Sequence, residues 1–123
     1  MTKFALDPRL AADTLEVAAL PLCLVRLMND RRFPWVILVP ARPHMVEIHD
    51  LAPPDRAMLI EEIALVSDAI RELFHPTKLN VGALGNIVAQ LHVHVVGRFA
   101  SDDAWPGPVW GTPPERYRLG DGA

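Results

Sequence analysis

The sequence predicts an α+β domain in which an antiparallel β-sheet of about five strands is covered by one long helix. Two patterns support this fold class: short β-branched apolar runs alternate with turn residues, and one longer stretch has apolar residues at helical spacing. The size limits the number of domains, because 123 residues, 50% of them hydrophobic, can form one core but hardly two. We therefore expect a single domain over residues 1–123.

The strands are predicted from apolar runs between turn signals. Asp7 and Pro8 have the pattern of a helix start and open a short helix over residues 9–13. The runs that follow predict strands over residues 15–20, 22–28, 35–39, 78–84 and 91–99.

The long helix is predicted to run from Pro54 to Phe74. Five apolar residues repeat there at steps of four and three and form one face: Leu59, Ile63, Val66, Ile70 and Leu73. The domain core then spans about residues 15–99. The tail over residues 100–123 is rich in proline and glycine and is predicted to be irregular.

Charge and cysteine content exclude several classes of protein. The formal net charge is −3 and Lys and Arg do not cluster, which argues against binding a nucleic-acid polymer. Cys23 is the only cysteine and lies in an apolar run, so we expect a buried, unreactive thiol. The N-terminus lacks the pattern of a secretory signal, and no apolar run approaches the roughly 20 residues of a membrane span. We expect a cytoplasmic protein without membrane contact.

The segment from Gln90 to Val96 carries the most informative pattern of the chain. A period of two places Gln90, His92 and His94 on one face of a strand, with the two imidazoles roughly 6.6 Å apart at Cα. A neutral imidazole accepts a proton, binds a metal or attacks an electrophile. If one ring nitrogen donates to a backbone carbonyl, the other presents a lone pair suited to nucleophilic catalysis. The preceding loop, Gly85 to Val88, can offer backbone N–H groups to an anion.

This segment, Gly85 to Arg98, resembles the signature of the histidine triad family, in which three histidines alternate with apolar residues behind a glycine-bearing phosphate loop. The resemblance includes the strand ending at Pro40 and the long helix, and it covers about residues 15–99. It implies a nucleotide hydrolase or transferase that acts at the α-phosphate of nucleoside phosphoramidates, dinucleoside polyphosphates or similar conjugates through a nucleotidyl-histidine intermediate. It also implies a homodimer, with neither a metal nor an organic cofactor.

The resemblance assigns roles residue by residue. His92 matches the nucleophile, and His94 matches the histidine that contacts phosphate oxygens and the leaving group. Gln90 replaces the first histidine of the triad, and Trp35 replaces a further histidine that many members carry. A glutamine backbone still offers the carbonyl that orients the nucleophile.

The nucleotide-binding residues are also assigned by resemblance. Asn29 matches a residue that binds the ribose hydroxyls, and Asn80 matches a polar position near the phosphates. The phosphate loop corresponds to Gly85, Asn86, Ile87 and Val88.

Three other interpretations stay open. The two substitutions, Gln90 and Trp35, also fit a nucleotide-binding module without catalysis. A His-x-His pair can bind a metal if His44, His49 or Glu47 supplies a third ligand. Alternating polar residues are also typical of a solvated sheet face.

Two further assignments concern residues outside this segment. His75 fits a structural role at a helix C-terminus, and Trp105 or Trp110 is a candidate contact for a base.

Overall fold

The computed structural model describes residues 3–117, in which five antiparallel strands form one sheet with the order β1-β2-β3-β5-β4. The strands are β1 (Thr14–Ala19), β2 (Cys23–Met28), β3 (Trp35–Pro40), β4 (Lys78–Gly82) and β5 (Val93–Arg98). The helices are α1 (Pro8–Asp13) and the long α2 (Pro53–Phe74), with a short 3-10 turn at Ile48–Asp50. The predicted fold class is confirmed. Of the predicted tail, residues 118–123 lie outside the described residues.

The strand that carries the histidines begins later than the sequence predicts. Strand β5 starts at Val93, and the predicted start at residue 91 is wrong because the backbone N–H of Leu91 donates to the carbonyl of Met45, at 2.9 Å, outside the sheet. Strand β4 likewise ends at Gly82 and not at residue 84. The chain therefore leaves the sheet between these two points, and this excursion forms one wall of the site described below.

One face of the sheet is closed by α2. Leu38, Val93 and Val95 on the strands pack with apolar residues of the helix, and Cys23 is buried among them. Burial raises the pKa of the Cys23 thiol, as expected for an unreactive cysteine. Glu62 of α2 is also buried, and its carboxylate accepts the backbone N–H groups of Leu22 and Cys23, both at 2.9 Å. The helix is thereby attached to the start of β2 by charge-assisted hydrogen bonds.

The opposite face is closed by α1 and by the C-terminal tail. Leu10 of α1 and Val109 of the tail pack on Ile37 and Val96 of the sheet. The tail is held by Arg98, whose guanidinium donates to Asp102 at 2.8 Å and to the carbonyl of Gly107 at 2.7 Å. Side chains of this ion pair are only 2% and 3% exposed, so its partners and hydrogen bonds must compensate for their lost hydration.

No helix within residues 3–117 is long and apolar enough to span a membrane.

Candidate active site

A cavity of about 450 Å³ opens on the face of the sheet that α1 and the tail cover. His92 and His94 form its floor, and α1 and Trp110 form two of its walls. The remaining wall is the loop after β4, with Gly85, Asn86, Ile87 and Val88. The two histidines and the predicted phosphate loop therefore surround the same space.

His92 is held by the backbone two residues before it. Its Nδ1 lies 2.7 Å from the carbonyl oxygen of Gln90. Because a carbonyl oxygen only accepts, Nδ1 must carry the proton, and Nε2 of the neutral ring is left with its lone pair. The hydrogen bond from His92 to the carbonyl at position 90 is the orienting contact that the family resemblance implied.

His94 is held by an indole. The Nε1–H of Trp35 donates to Nδ1 of His94 at 3.0 Å. Since an indole nitrogen only donates, Nδ1 of His94 must be unprotonated, and the neutral ring carries its proton on Nε2. Burial, and then the nearby His92, lower the pKa of His94 to about 4, so the ring is neutral at pH 7.

The two imidazoles consequently have opposite hydrogen-bonding polarity. Their ring centroids are 5.0 Å apart, with the planes at 65°, and both rings line the cavity. His92 offers an acceptor or nucleophile at Nε2, whereas His94 offers a donor at Nε2. A phosphoryl group contains both an electrophilic phosphorus and acceptor oxygens, so the pair matches its two requirements.

Sequence reasoning missed the part that Trp35 plays and treated this residue only as a departure from the family pattern. Trp35 pairs with Val96 across the β3–β5 ladder, which places it diagonal to His94 on the same face. Pairing the two predicted strands in register was the signal that could have found this contact.

Gln90 precedes β5, and its side chain does not line the cavity with His92 and His94. Its amide instead accepts from the backbone N–H of Asp7 at 2.8 Å and donates to the carbonyl of Ala5 at 2.9 Å. Gln90 borders a separate small cavity beside the N-terminal segment.

The loop after β4 turns at Gly85, which has a φ of 74°. This left-handed conformation strains residues with a side chain, although a Cβ would have space there, 3.6 Å from the carbonyl oxygen of Val88. Ile87 is 76% exposed and lies at the rim of the cavity.

The two predicted asparagines lie away from the histidines. Asn29 lines an adjoining cavity of about 310 Å³, and its side-chain oxygen accepts the backbone N–H of Tyr117 at 2.8 Å. The two cavities share lining residues such as Met28 and Ile87. Asn80 does not line the histidine cavity, and its side-chain oxygen accepts from Arg98 at 2.7 Å. It therefore supports the ion pair that fixes the tail.

Two further elements complete the site: α1, which the sequence did not associate with it, and the tail, which the sequence offered only through Trp105 or Trp110. Arg9, Leu10 and Asp13 of α1 line the cavity, as does Trp110 of the tail. The Trp110 ring centroid is 5.3 Å from that of His94, and its indole N–H has no hydrogen-bond partner within residues 3–117. Trp110, and not Trp105, thus borders this space.

The family model of the HIT domain matches residues 9–101. The chain belongs to the histidine triad (HIT) family. Solved structures of three histidine triad proteins are similar to this HIT chain. The protein from Sinorhizobium meliloti is 50% identical with a TM-score of 0.92, and the alignment covers 94% of this chain and 87% of that one. The Marinobacter aquaeolei protein is 46% identical (TM-score 0.96; 98% and 89% covered), and the Bradyrhizobium japonicum protein is 44% identical (TM-score 0.93; 96% and 89% covered). No curated protein matches this HIT chain.

HIT proteins bind nucleotides and are generally nucleotide hydrolases or transferases. The match begins within α1, which lies before the region that the resemblance covered. Within residues 3–117 no group of three or more His, Cys, Asp or Glu side chains could hold a metal ion, and His44, His49 and Glu47 do not line the histidine cavity.

Proposed function

We propose that this HIT protein hydrolyses or transfers nucleotides at the α-phosphate of nucleoside phosphoramidates, dinucleoside polyphosphates or similar conjugates, with His92 as the nucleophile. The observation that carries the proposal is the opposite polarity of the two imidazoles, because the Gln90 carbonyl orients one ring and the Trp35 indole orients the other. Both rings line the same cavity.

In the first step, Nε2 of His92 attacks the α-phosphorus and forms an N–P bond. The bond from phosphorus to the leaving atom breaks, and its electron pair stays on the leaving group, which takes a proton from water. The His92 ring becomes positively charged, and the Gln90 carbonyl at 2.7 Å from Nδ1 stabilises that charge.

In the second step, water attacks the phosphorus, the N–P bond breaks, and the electron pair returns to Nε2 of His92. The proton of the attacking water passes to solvent, and the mononucleotide is released. In a transferase, a different nucleophile replaces this water.

His94 acts in both steps as a fixed hydrogen-bond donor. Its Nε2–H binds a phosphate oxygen or the leaving atom, where negative charge increases in the transition state. A pKa of about 4 keeps the His94 ring neutral near pH 7, so this ring donates a hydrogen bond without placing a positive charge beside His92.

The loop residues Gly85, Asn86, Ile87 and Val88 surround the phosphate in this proposal and offer it backbone N–H groups. Gln90 occupies the first position of the triad and contributes to catalysis through its carbonyl. Asn29 contributes to the sugar site through its amide N–H groups, since its oxygen binds Tyr117. Asn80, assigned near the phosphates by resemblance, acts through Arg98 and the tail.

The test is turnover of adenosine 5′-phosphoramidate and of diadenosine polyphosphates by the wild type, by His92→Ala and by His49→Ala. We expect AMP from the wild type and a loss of about a thousandfold or more in kcat/KM for His92→Ala. His49 is an exposed residue of the 3-10 turn and lies outside the cavity, so His49→Ala serves as the matched control.

Two results would contradict this proposal. Equal turnover in wild type and His92→Ala removes His92 from the mechanism. AMP binding by calorimetry without any product supports the alternative, a nucleotide-binding module without catalysis. Rapid quenching in alkali, in which an N–P bond to histidine survives, should recover the nucleotidyl-protein from the wild type alone.

The proposed active unit is a homodimer of single-domain chains, on the resemblance to the family. Light scattering coupled to size-exclusion chromatography should give twice the 13.6 kDa mass of the chain. A monomer at assay concentration would contradict it.

A further inference from the structure

We propose that the Gln90 side chain is a positioning residue that holds α1 as a wall of the cavity and so sets substrate affinity, separately from the Gln90 carbonyl, which orients the nucleophile. The inference rests on the proposed function. It assigns two tasks to two parts of one residue, and these tasks can be separated by experiment.

The contact between Gln90 and the N-terminal segment consists of two hydrogen bonds. The side-chain oxygen accepts from the N–H of Asp7 at 2.8 Å, and the side-chain NH₂ donates to the carbonyl of Ala5 at 2.9 Å. These two backbone groups lie two residues apart and have opposite polarity. A planar amide meets both with one acceptor and one donor that lie close together.

A histidine at position 90 would not reproduce this contact. A neutral imidazole also has one donor and one acceptor, but its two nitrogens point away from each other across the ring. It therefore cannot face two backbone groups on the same short segment. The glutamine at the first triad position thus has a physical reason that is independent of proton transfer.

The hydrogen bonds of Gln90 act just before α1, which begins at Pro8. The other end of this helix is fixed because β1 follows it directly at Thr14. Between these two anchors, Arg9, Leu10 and Asp13 line the histidine cavity. Releasing the Gln90 anchor should let this wall move, while leaving the His92 hydrogen bond to the Gln90 carbonyl in place.

The experiment compares Gln90→Met, which has similar length and no hydrogen-bonding groups, with the wild type in steady-state turnover of adenosine 5′-phosphoramidate. We expect KM to rise about tenfold, which corresponds to the loss of two ordinary hydrogen bonds, while kcat stays within about twofold. In the free protein, hydrogen exchange at the amide of Ala11, which bonds to the carbonyl of Asp7 within α1, should become about tenfold faster.

A matched pair at position 7 tests the same contact from its other side. Asp7 has a φ of −55°, which proline adopts without strain, so Asp7→Pro removes the donated N–H. It also removes the side chain that accepts the N–H of Arg9 at 2.8 Å, and Asp7→Ala controls for that loss. KM should rise more in Asp7→Pro than in Asp7→Ala, and combining Asp7→Pro with Gln90→Met should add less than the two single effects together.

A fall in kcat with an unchanged KM in Gln90→Met would show that the side chain acts on His92 and would overturn the inference. Unchanged kinetic constants with unchanged exchange at Ala11 would also overturn it.

If the wild type shows no turnover, the proposed catalytic function fails and the Kd for AMP replaces KM. An affinity about tenfold weaker in Gln90→Met than in the wild type still supports the inference. Equal affinities, or a wild type that does not bind AMP, overturn it.

Discussion

The two faces of the sheet are built in different ways. The face under α2 is closed by one long helix and is almost entirely apolar, apart from the Glu62 carboxylate that binds the start of β2. The opposite face is closed by α1 and an irregular tail, which leave a cavity over His92 and His94. Residues that alternate along β5 thus pack on opposite faces, so one face supplies stability and the other the site.

Neighbouring residues of β3 test this division most directly. Leu38 faces α2, Ile37 faces the cavity, and both are fully buried. Leu38→Ala should lower the free energy of unfolding by about 2–5 kcal/mol, because the helix face closes only partly around the lost volume. Urea denaturation measures this loss.

The control for that variant is activity per folded molecule. It should change less than about twofold in Leu38→Ala. In Ile37→Ala it should fall further, because Ile37 pairs with His94 in the sheet and lines the cavity. Equal effects of the two substitutions on kcat/KM would show that the faces are not separate in function.

The next effect is a pH dependence of stability that belongs to the cavity face. The pKa of His94 is about 4 in the folded chain and about 6.5 without burial. Between these values the unfolded state binds more protons than the folded state. The free energy of unfolding should therefore fall by up to about 3 kcal/mol as the pH drops from about 6.5 to 4.

His94→Asn should remove most of that slope, because an asparagine does not titrate there and its oxygen can take the place of Nδ1. His75→Asn is the control. His75 is an exposed histidine just after α2, and its backbone is left-handed, a conformation that asparagine tolerates. Thermal unfolding of the three proteins across this pH range decides the matter. A slope that survives in His94→Asn would contradict the assignment.

A smaller effect separates the two tryptophans at His94. Both rings contact the imidazole, with centroids at 5.7 Å for Trp35 and 5.3 Å for Trp110, but only Trp35 donates a hydrogen bond to it. Trp35→Phe should lower kcat/KM about tenfold because it frees the tautomer of His94. Trp110→Phe should have a weaker effect, and the reverse order would contradict the role of the indole N–H.

The smallest effect is expected in the loop after β4. Gly85→Ala should cost about 1 kcal/mol of stability, because an alanine is strained at a φ of 74°. Gly85→Asn should cost less, since asparagine adopts left-handed conformations more readily. Chemical denaturation of both variants measures the difference, and equal costs would show that loop strain is not the cause.

The helix face was easier to predict than the cavity face for a physical reason. Its long helix has a regular period, so the apolar repeat in α2 predicted this helix to within one residue of its observed start at Pro53. On the cavity face, the hydrogen bond from His92 to the carbonyl of residue 90 was implied by the family resemblance, and it joins residues only two positions apart.

The cavity face depends on contacts between residues far apart in sequence. Trp35 and His94 are separated by 59 positions, and Gln90 and Ala5 by 85. No local period encodes such contacts. Alternation likewise does not reveal that the Gln90 side chain binds the N-terminal segment instead of lining the cavity.

The indole of Trp35 has a final consequence for the direction in which a substrate binds. Nδ1 of His94 now lies 3.0 Å from the indole nitrogen of Trp35. Rotating the ring by half a turn about its Cβ–Cγ bond would place a carbon there, so the hydrogen bond holds the ring in one of its two flip orientations. With both rings locked, their roles cannot be exchanged. In the proposed mechanism the pocket is therefore handed, and a conjugate that enters in reverse would meet a donor where it needs an attacking nitrogen.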